Sequence, residues 1–254
     1  MSTQKVLITA GASGIGLAIL KAFIHNGAQV FVCDINEQAL TDLKVEFPDL
    51  ITGICDVSKR ADIEKMVKEA ASAMGGIDVL VNNAGISGPT APIEELNPDD
   101  WEKVMQVDLN GTFNVTRMAI PYLKKSSSGV IINMSSLAGR FGYENRSPYC
   151  TAKWGIIGFT KTLSIELGKY GIRANAILPG AVAGPRIEKV LQGRAEATHT
   201  SYEQQKDQAM AIQSLKGFID PNDIAALAVF LASDAAKMIS GQMIPIDGDA
   251  QKAS

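Results

Sequence analysis

The chain is short of the residues that build zinc sites and hydrolytic triads: its 254 residues include 2 histidines and 3 cysteines. Any zinc centre or Ser-His-Asp triad would have to use His25 or His199. His25 stands beside Asn26-Gly27 at the end of a helical pattern, where it reads as part of a helix terminus. His199 falls in a polar stretch and reads as exposed. Metal and hydrolytic chemistry are therefore disfavoured. Cys33, Cys55 and Cys150 are odd in number and widely spaced, which fits reduced thiols in a cytoplasmic protein. No apolar run is long enough to span a bilayer, so no membrane partner is expected. Basic charge is not in excess either. With 24 Lys and Arg against 27 Asp and Glu, the net charge of −3 offers no footprint for nucleic acid. The sequence passes almost directly from Met1 into Val6-Leu7-Ile8-Thr9, leaving no room for a signal peptide. Linkers, internal repeats and low-complexity stretches are also missing, so residues 1–254 read as one domain.

What is present is an alternation of short apolar strands and helical patterns, with 46% apolar and 20% charged residues as in soluble globular proteins. That alternation predicts an α/β fold with a parallel sheet covered on both faces. Strands are expected at Val6–Thr9, Val30–Cys33, Ile51–Cys55, Val79–Asn82, Val130–Met134, Arg173–Ile177 and Gln242–Ile246. Helices are expected at Ile15–Asn26, Asn36–Val45, Ala61–Met74, Pro98–Lys124, Tyr149–Tyr170 and Pro221–Ala232. Asn97-Pro98-Asp99-Asp100 and Asp220-Pro221-Asn222-Asp223 each place a capping residue before a proline, with acids in the first turn. Pro245 inside the last strand calls for an unpaired or solvent-facing amide there. One segment, roughly Arg186–Lys216, departs from the rhythm as a charged helical insertion after the sixth strand. Ligands bind beyond the carboxyl ends of such strands, so this insertion is expected to form a lid over the crevice.

Tyr149 and Lys153 lie four apart in a helical pattern and so share one face. A neighbouring ammonium favours the phenolate and draws the tyrosine towards working pH, giving a general acid/base for an alcohol or carbonyl oxygen. The spacing alone is weak evidence: Tyr202 and Lys206 repeat it on what reads as a solvated helix face. The first pair differs in its setting. Ser136 lies thirteen residues upstream of Tyr149, at the end of the apolar run Val130–Met134. Thr9-Ala10-Gly11-Ala12-Ser13-Gly14-Ile15-Gly16 joins the first strand to the first helix, where glycines and a helix N-terminus suit a pyrophosphate. Asp34 ends the second strand, eighteen residues past Gly16, where an acid can bond ribose hydroxyls and repel a 2′-phosphate. No lysine or arginine stands in the glycine loop, and NAD is the expected cofactor.

Ser, Tyr, Lys and this glycine loop, in that order, resemble the short-chain dehydrogenase/reductase family, essentially end to end. The resemblance implies a doubly wound Rossmann-type domain with a seven-stranded parallel sheet. It also implies hydride transfer between NAD and a secondary alcohol or its ketone. In that scheme Tyr149 exchanges the hydroxyl proton, Lys153 supports it and holds the nicotinamide ribose, and Ser136 bonds the substrate oxygen. Ser135 is a weaker candidate than Ser136. Gly11, Ser13, Gly14, Ile15 and Gly16 would hold the pyrophosphate; Asp34, Asp56 and Val57 would border the adenosine. Asn83, Ala84 and Gly85, from the run Asn82-Asn83-Ala84-Gly85, would flank the cofactor, and Pro179, Gly180 and Val182 would lie beside the nicotinamide.

Two positions depart from the family pattern. Ala10 replaces its first glycine, with Gly11 keeping the turn flexible and the alanine methyl a small intrusion. Asp108 stands where the family often has an asparagine of the proton relay. Asn110 would point about two hundred degrees around a regular helix and is a poor substitute. Asp108 either keeps the backbone geometry that binds the relay water, the reading preferred here, or pairs with Lys153. The polar lid, with Arg186, Glu188, Lys189, Arg194 and Glu196, suits a small polar substrate such as a sugar, polyol or hydroxy acid. Arg186 could meet a carboxylate or simply face solvent. Relatives of this size are commonly homotetramers, and the Asn97–Lys124 and Tyr149–Tyr170 helices would pack across such an interface. The other reading is a catalytically silent NAD-binding sensor or assembly protein, which Ala10 and Asp108 favour and the intact Ser136, Tyr149 and Lys153 oppose.

Overall fold

In the computed structural model, which describes residues 3–252, seven parallel strands form one sheet in the order β3-β2-β1-β4-β5-β6-β7. The strands are β1 Lys5–Thr9, β2 Gln29–Asp34, β3 Ile51–Ile54, β4 Val79–Asn82, β5 Val130–Met134, β6 Arg173–Pro179 and β7 Met243–Ile246. The helices are α1 Gly14–His25, α2 Glu37–Glu46, α3 Arg60–Met74, α4 Pro98–Val104, α5 Thr112–Leu123, α6 Ser147–Gly168, α7 Pro185–Ala197, α8 Tyr202–Ala211 and α9 Pro221–Ala232. This is the doubly wound Rossmann-type α/β architecture, and the expected strands and helices mostly match within one or two residues.

The alternation of side chains along each strand divides the core into two layers. Val6 and Ile8 point to one face of β1 and pack with Ile19, Leu20 and Phe23 of α1 and Ile224 and Leu231 of α9. Leu7 points to the other, with Phe31, Ile63 and Met66 of α3, Leu123 of α5 and Leu163 of α6. Side chains as buried as Phe23 and Leu7 each contribute about 1.5–3 kcal/mol. Because both faces are covered, β1, β4 and β5 read as near-continuous apolar runs, and the buried Asn82 and Asn133 that interrupt them bond each other. Caps set the helix ends. Asn97 accepts from the Asp99 amide before Pro98, and Asp220 accepts from the Asn222 amide before Pro221. Pro245 sits on β7, the edge strand, opposite Leu178 of β6.

One element differs from its expectation. The helix expected over Pro98–Lys124 runs from Pro98 to Leu123, but Met105–Gly111 winds as a π-helix between α4 and α5. Side chains take up backbone carbonyls around this wider turn: Thr112 Oγ1 donates to the Asp108 carbonyl at 2.8 Å, and Asn114 Nδ2 to that of Asn110 at 2.8 Å. Asp108 is carried wholly inside while Asn110 stays exposed. The strand order reverses direction between β1 and β4, which opens a crevice above the carboxyl ends of the central strands.

Candidate active site

The loop after β1 is shaped by close approach as much as by flexible backbone. Ala10 itself takes the left-handed conformation, φ +51°, that normally favours glycine. Gly11 does not supply the turn's freedom. Its φ is not positive, and a Cβ there would collide with Val32 Cγ2 across the sheet. Gly11 is thus a packing glycine, and it lines neither of the two cavities described below. Gly16 is a second close contact, since a Cβ would strike the Ala10 carbonyl and Asn83 Nδ2. Asn83 braces the loop by donating to the carbonyls of Thr9 at 3.1 Å and Ala10 at 2.8 Å. Thr9 Oγ1 in turn accepts from the amides of Asn83 and Ala84, each at 3.0 Å.

Helix α1 begins here without a side-chain cap from Ser13 and without an acid in its first turn. Its first amides and positive dipole end are left for an anion, so the residues present fit a dinucleotide pyrophosphate. Gly14, at φ +52°, has nothing within 4 Å of a Cβ on its open side.

On one side of the loop, a cavity of about 820 Å³ is bordered by Asp34, Asp56, Val57, Ala84 and Gly85. Asp34 is nearly buried, and its carboxylate accepts from the Ala12 amide at 3.1 Å and the Asn36 amide at 3.0 Å. It therefore ties the glycine loop to the end of β2, while Asn36 caps α2. Partial burial pushes the Asp56 carboxyl up, but the Ser58 hydroxyl at 2.6 Å, its amide at 3.0 Å and Lys59 hold it below the usual range. Among the described residues that line this wall, Lys103 is the one cation, against the acids Asp34, Asp56, Asp99 and Glu102.

On the other side, a cavity of about 430 Å³ brings together Ser13, Gly14, Ile15, Gly16, Ser136, Tyr149, Lys153, Pro179, Gly180, Val182 and Arg186. Ser136 follows β5 in extended backbone, and its Oγ accepts from the Ala138 amide at 3.1 Å. Neighbouring Ser135 is directed to structure: its Oγ donates to the Lys153 carbonyl at 2.9 Å. Tyr149 and Lys153 lie one turn apart on α6, with the ammonium 5.5 Å from the phenol ring centre. Lys153 Nζ donates to the Met134 carbonyl at 3.2 Å and lies 3.2 Å from Asp108 Oδ2. Asp108 does not reach the cavity. It sits behind Gly85, whose absent Cβ would press on both Asp108 Oδ2 and Lys153 Nζ, and its Oδ1 accepts from the Ile86 amide at 2.7 Å. The pairing with Lys153, set aside in the sequence reading in favour of a water-binding backbone, is the arrangement found. The π-turn turns this side chain inward and so permits it. Tyr202 and Lys206, the second copy of the spacing, lie on α8, where Lys206 pairs with Glu203 in solvent.

Helices α7 and α8 close the far end of this cavity through Ile187, Val190, Arg194 and Ala209, with Ile212 just past the end of α8. Their inner face is more apolar than the charged sequence of the insertion suggests. Arg186 is exposed, and its guanidinium donates to the Gly85 carbonyl at 3.2 Å. Two residues at this end escaped the sequence reading. Tyr143 lies under Arg194, and burial pushes its phenol up to about 12. Arg146, almost fully buried at 4% exposure, places its guanidinium 5.1 Å from the Tyr149 ring. A signal for it existed: a cation at the N-cap of a helix opposes the helix dipole and calls for another reason to be there. Among the described residues, no group of three His, Cys, Asp or Glu is arranged to hold a metal, and no helix is long and apolar enough to cross a membrane.

The family model described as enoyl-(acyl carrier protein) reductase matches residues 9–249. D-beta-hydroxybutyrate dehydrogenase of Cupriavidus necator is 37% identical over 98% of this chain and 98% of its own. Among solved structures, NAD+-bound xylitol dehydrogenase superposes with a TM-score of 0.92 at 28% identity, over 96% of this chain and 98% of that one. A single-residue variant of actinorhodin polyketide ketoreductase with NADPH gives 0.92 at 30% identity, over 97% and 96%. On the strength of these matches, the chain belongs to the short-chain dehydrogenase/reductase family of oxidoreductases.

Proposed function

We propose that the protein is an NAD-dependent oxidoreductase that interconverts a small polar secondary alcohol and its ketone by a Ser-Tyr-Lys mechanism. The observation that carries this reading is the meeting of Ser136, Tyr149 and Lys153 in the one cavity that also contains the N-terminus of α1. When bound, the nicotinamide supplies the hydride acceptor, so oxidation converts a CH–OH and NAD+ into C=O, NADH and a proton. In that direction Tyr149 takes the hydroxyl proton as the hydride leaves the carbinol carbon; in reduction it returns it. The Ser136 oxygen already accepts from Ala138, which leaves its O–H to donate to the substrate oxygen. Lys153 is anchored by the Met134 carbonyl and Asp108, which fixes its charge beside the phenol. Gly11 and Gly16 shape the pyrophosphate loop, and Asp34, Asp56 and Val57 border the adenosine.

The acidic wall around Asp34 supports NAD rather than NADP, because a 2′-phosphate would face carboxylates there. We read α7 and α8 as the substrate lid of a single domain and the assembly as a homotetramer. Exposed Phe113 on α5 and Trp154 and Ile165 on α6 support that assembly. A silent NAD-binding protein draws support from Ala10 and the Asp108–Lys153 pair. NADH formation by the parent across a panel of secondary alcohols, lost in Tyr149→Phe with NAD affinity retained, supports the enzyme. NAD binding with no turnover of any panel member supports the silent protein.

A further inference from the structure

We infer that the substrate carries a carboxylate, held by Arg146 together with Arg186 and Arg194 at the lid end of the cavity. This deepens the reading above by naming the substrate class.

The cavity's charge is the first argument. Among the described residues, its lining includes Lys153, Arg146, Arg186 and Arg194 and not one aspartate or glutamate, in a chain whose net charge is −3. Lys153 is balanced from behind by Asp108. Arg146 has no such partner: no carboxylate lies within ion-pair distance of it among the described residues. One terminal nitrogen donates to the Ser87 carbonyl at 2.7 Å, and its Nε, wholly buried, makes no hydrogen bond. A buried guanidinium without a counter-charge is costly unless a ligand on its cavity side supplies one. Burial, with the nearby charges of Arg194 and Arg186, pushes Arg146 below its ordinary value, a crowding that a bound anion would relieve.

Geometry supplies the second argument. Arg146 lies one helical turn before Tyr149, with its guanidinium 5.1 Å from the phenol ring centre. A group held there sits a short chain away from an oxygen on the Tyr149 hydroxyl. The planar fork of a guanidinium matches a carboxylate in two parallel hydrogen bonds. Ile187, Val190 and Ile212 line the space beyond, which suits a short aliphatic body and not a polyhydroxylated one. A hydroxy acid, or the corresponding oxo acid, satisfies the catalytic and the cationic ends together.

The test needs no turnover. Calorimetry on the NAD-loaded protein would compare butyrate with butyramide and with inorganic phosphate. Butyrate is expected to bind at least tenfold more tightly than butyramide. Arg146→Gln should weaken butyrate about ten- to a hundredfold, as expected for losing a hydrogen bond to a charged group. Arg146→Lys should recover part of the loss. Because Arg146 also holds Ser87, exposed Arg186→Gln provides a second variant, with a smaller loss in the same direction. In turnover, 3-hydroxybutyrate should exceed 3-hydroxybutyramide in kcat/KM, with the ratio collapsing towards one in Arg146→Gln. Equal binding of butyrate and butyramide, binding of phosphate alone, or unchanged butyrate affinity in both variants would overturn the proposal. Neutral alcohols turned over without carboxylate binding would refute this inference and leave hydride transfer standing. Carboxylate binding with no NADH from any substrate would do the reverse.

Discussion

Asp108 Oδ2 lies 3.2 Å from Lys153 Nζ, with the two side chains 0% and 5% exposed. The pair spans forty-five positions of sequence, and it places a carboxylate behind the cation that serves the candidate proton donor. Asp108 also holds the Ile86 amide, so its two oxygens link the strand β4 exit to α6. Asp108→Asn keeps an acceptor for Ile86 and removes only the charge. The variant should fold with reduced stability, since breaking a buried pair costs as much as about 3–5 kcal/mol. It should also alter the shape of the pH–rate profile. A lowered Tm with an unaltered profile would confine Asp108 to packing.

Ala10 and Gly11 should respond to substitution in the opposite sense to a simple count of loop glycines. Ala10 occupies left-handed backbone, so Ala10→Gly relieves strain of about 1 kcal/mol or more. Part of that gain is returned as unfolded-chain entropy, leaving a net stabilisation of roughly 0.5 kcal/mol. Gly11→Ala drives a methyl into Val32 and should cost about 1–3 kcal/mol. Urea midpoints moving in opposite directions at constant slope would bear this out. A loss of stability in Ala10→Gly would refute the strain argument.

The Gly11 result shows where sequence stops being informative. Strands such as Val79–Asn82 and Val130–Met134 were legible because burial on both faces demands near-continuous apolar runs. Helix ends were legible through Asn97-Pro98 and Asp220-Pro221, since caps are local chemistry. The gathering of Ser136, Tyr149 and Lys153 was legible through the resemblance to the short-chain family, since the Tyr-Lys spacing alone also occurs at Tyr202 and Lys206 on a solvent-facing helix. Contacts between distant strands could not: nothing local to Gly11 announces Val32. The π-turn at Met105–Gly111 was hidden for another reason, because a changed hydrogen-bond ladder leaves little trace in side-chain periodicity. The sequence pattern therefore placed Asp108 on a regular helix; its approach to Lys153 was one of two arrangements left open, and the π-turn that permits it was not legible. The burial of Arg146 was hidden for the same reason as the Gly11 contact, because it is set by distant segments such as Ser87, fifty-nine residues away.

Cofactor choice should be governed by Asp34. Its carboxylate bonds the Ala12 and Asn36 amides, so a substitution should affect the glycine loop as well as the proposed ribose contact. Asp34→Asn retains one acceptor oxygen and removes the charge that, on the proposed reading, would repel a 2′-phosphate. The ratio of kcat/KM for NAD+ over NADP+ should fall by about tenfold or more, equivalent to about 1.4 kcal/mol. An unchanged ratio with normal stability would shift the discrimination to another part of the adenosine wall.

Tyr143 gives a pH dependence with a fixed sign. Burial is the main cause that pushes its phenol up to about 12, only partly offset by the Arg194 guanidinium 5.0 Å from its ring. The ordinary value, about 10, applies to the unfolded chain. A folded-state value above the unfolded one means that folding favours the neutral phenol. The associated stability is complete below about pH 10 and is lost as pH rises from there through 12. Tyr170, exposed and hydrogen-bonded to Lys124, is instead drawn below its usual range, so the two tyrosines should titrate well apart. Ultraviolet titration should therefore show one late tyrosine that disappears in Tyr143→Phe. That variant should also lose less stability between about pH 10 and 12 than the parent, because it no longer holds a phenol in its neutral form. A late titration that survives Tyr143→Phe would assign it to another tyrosine and leave the lid end of the cavity less enclosed than its lining residues indicate.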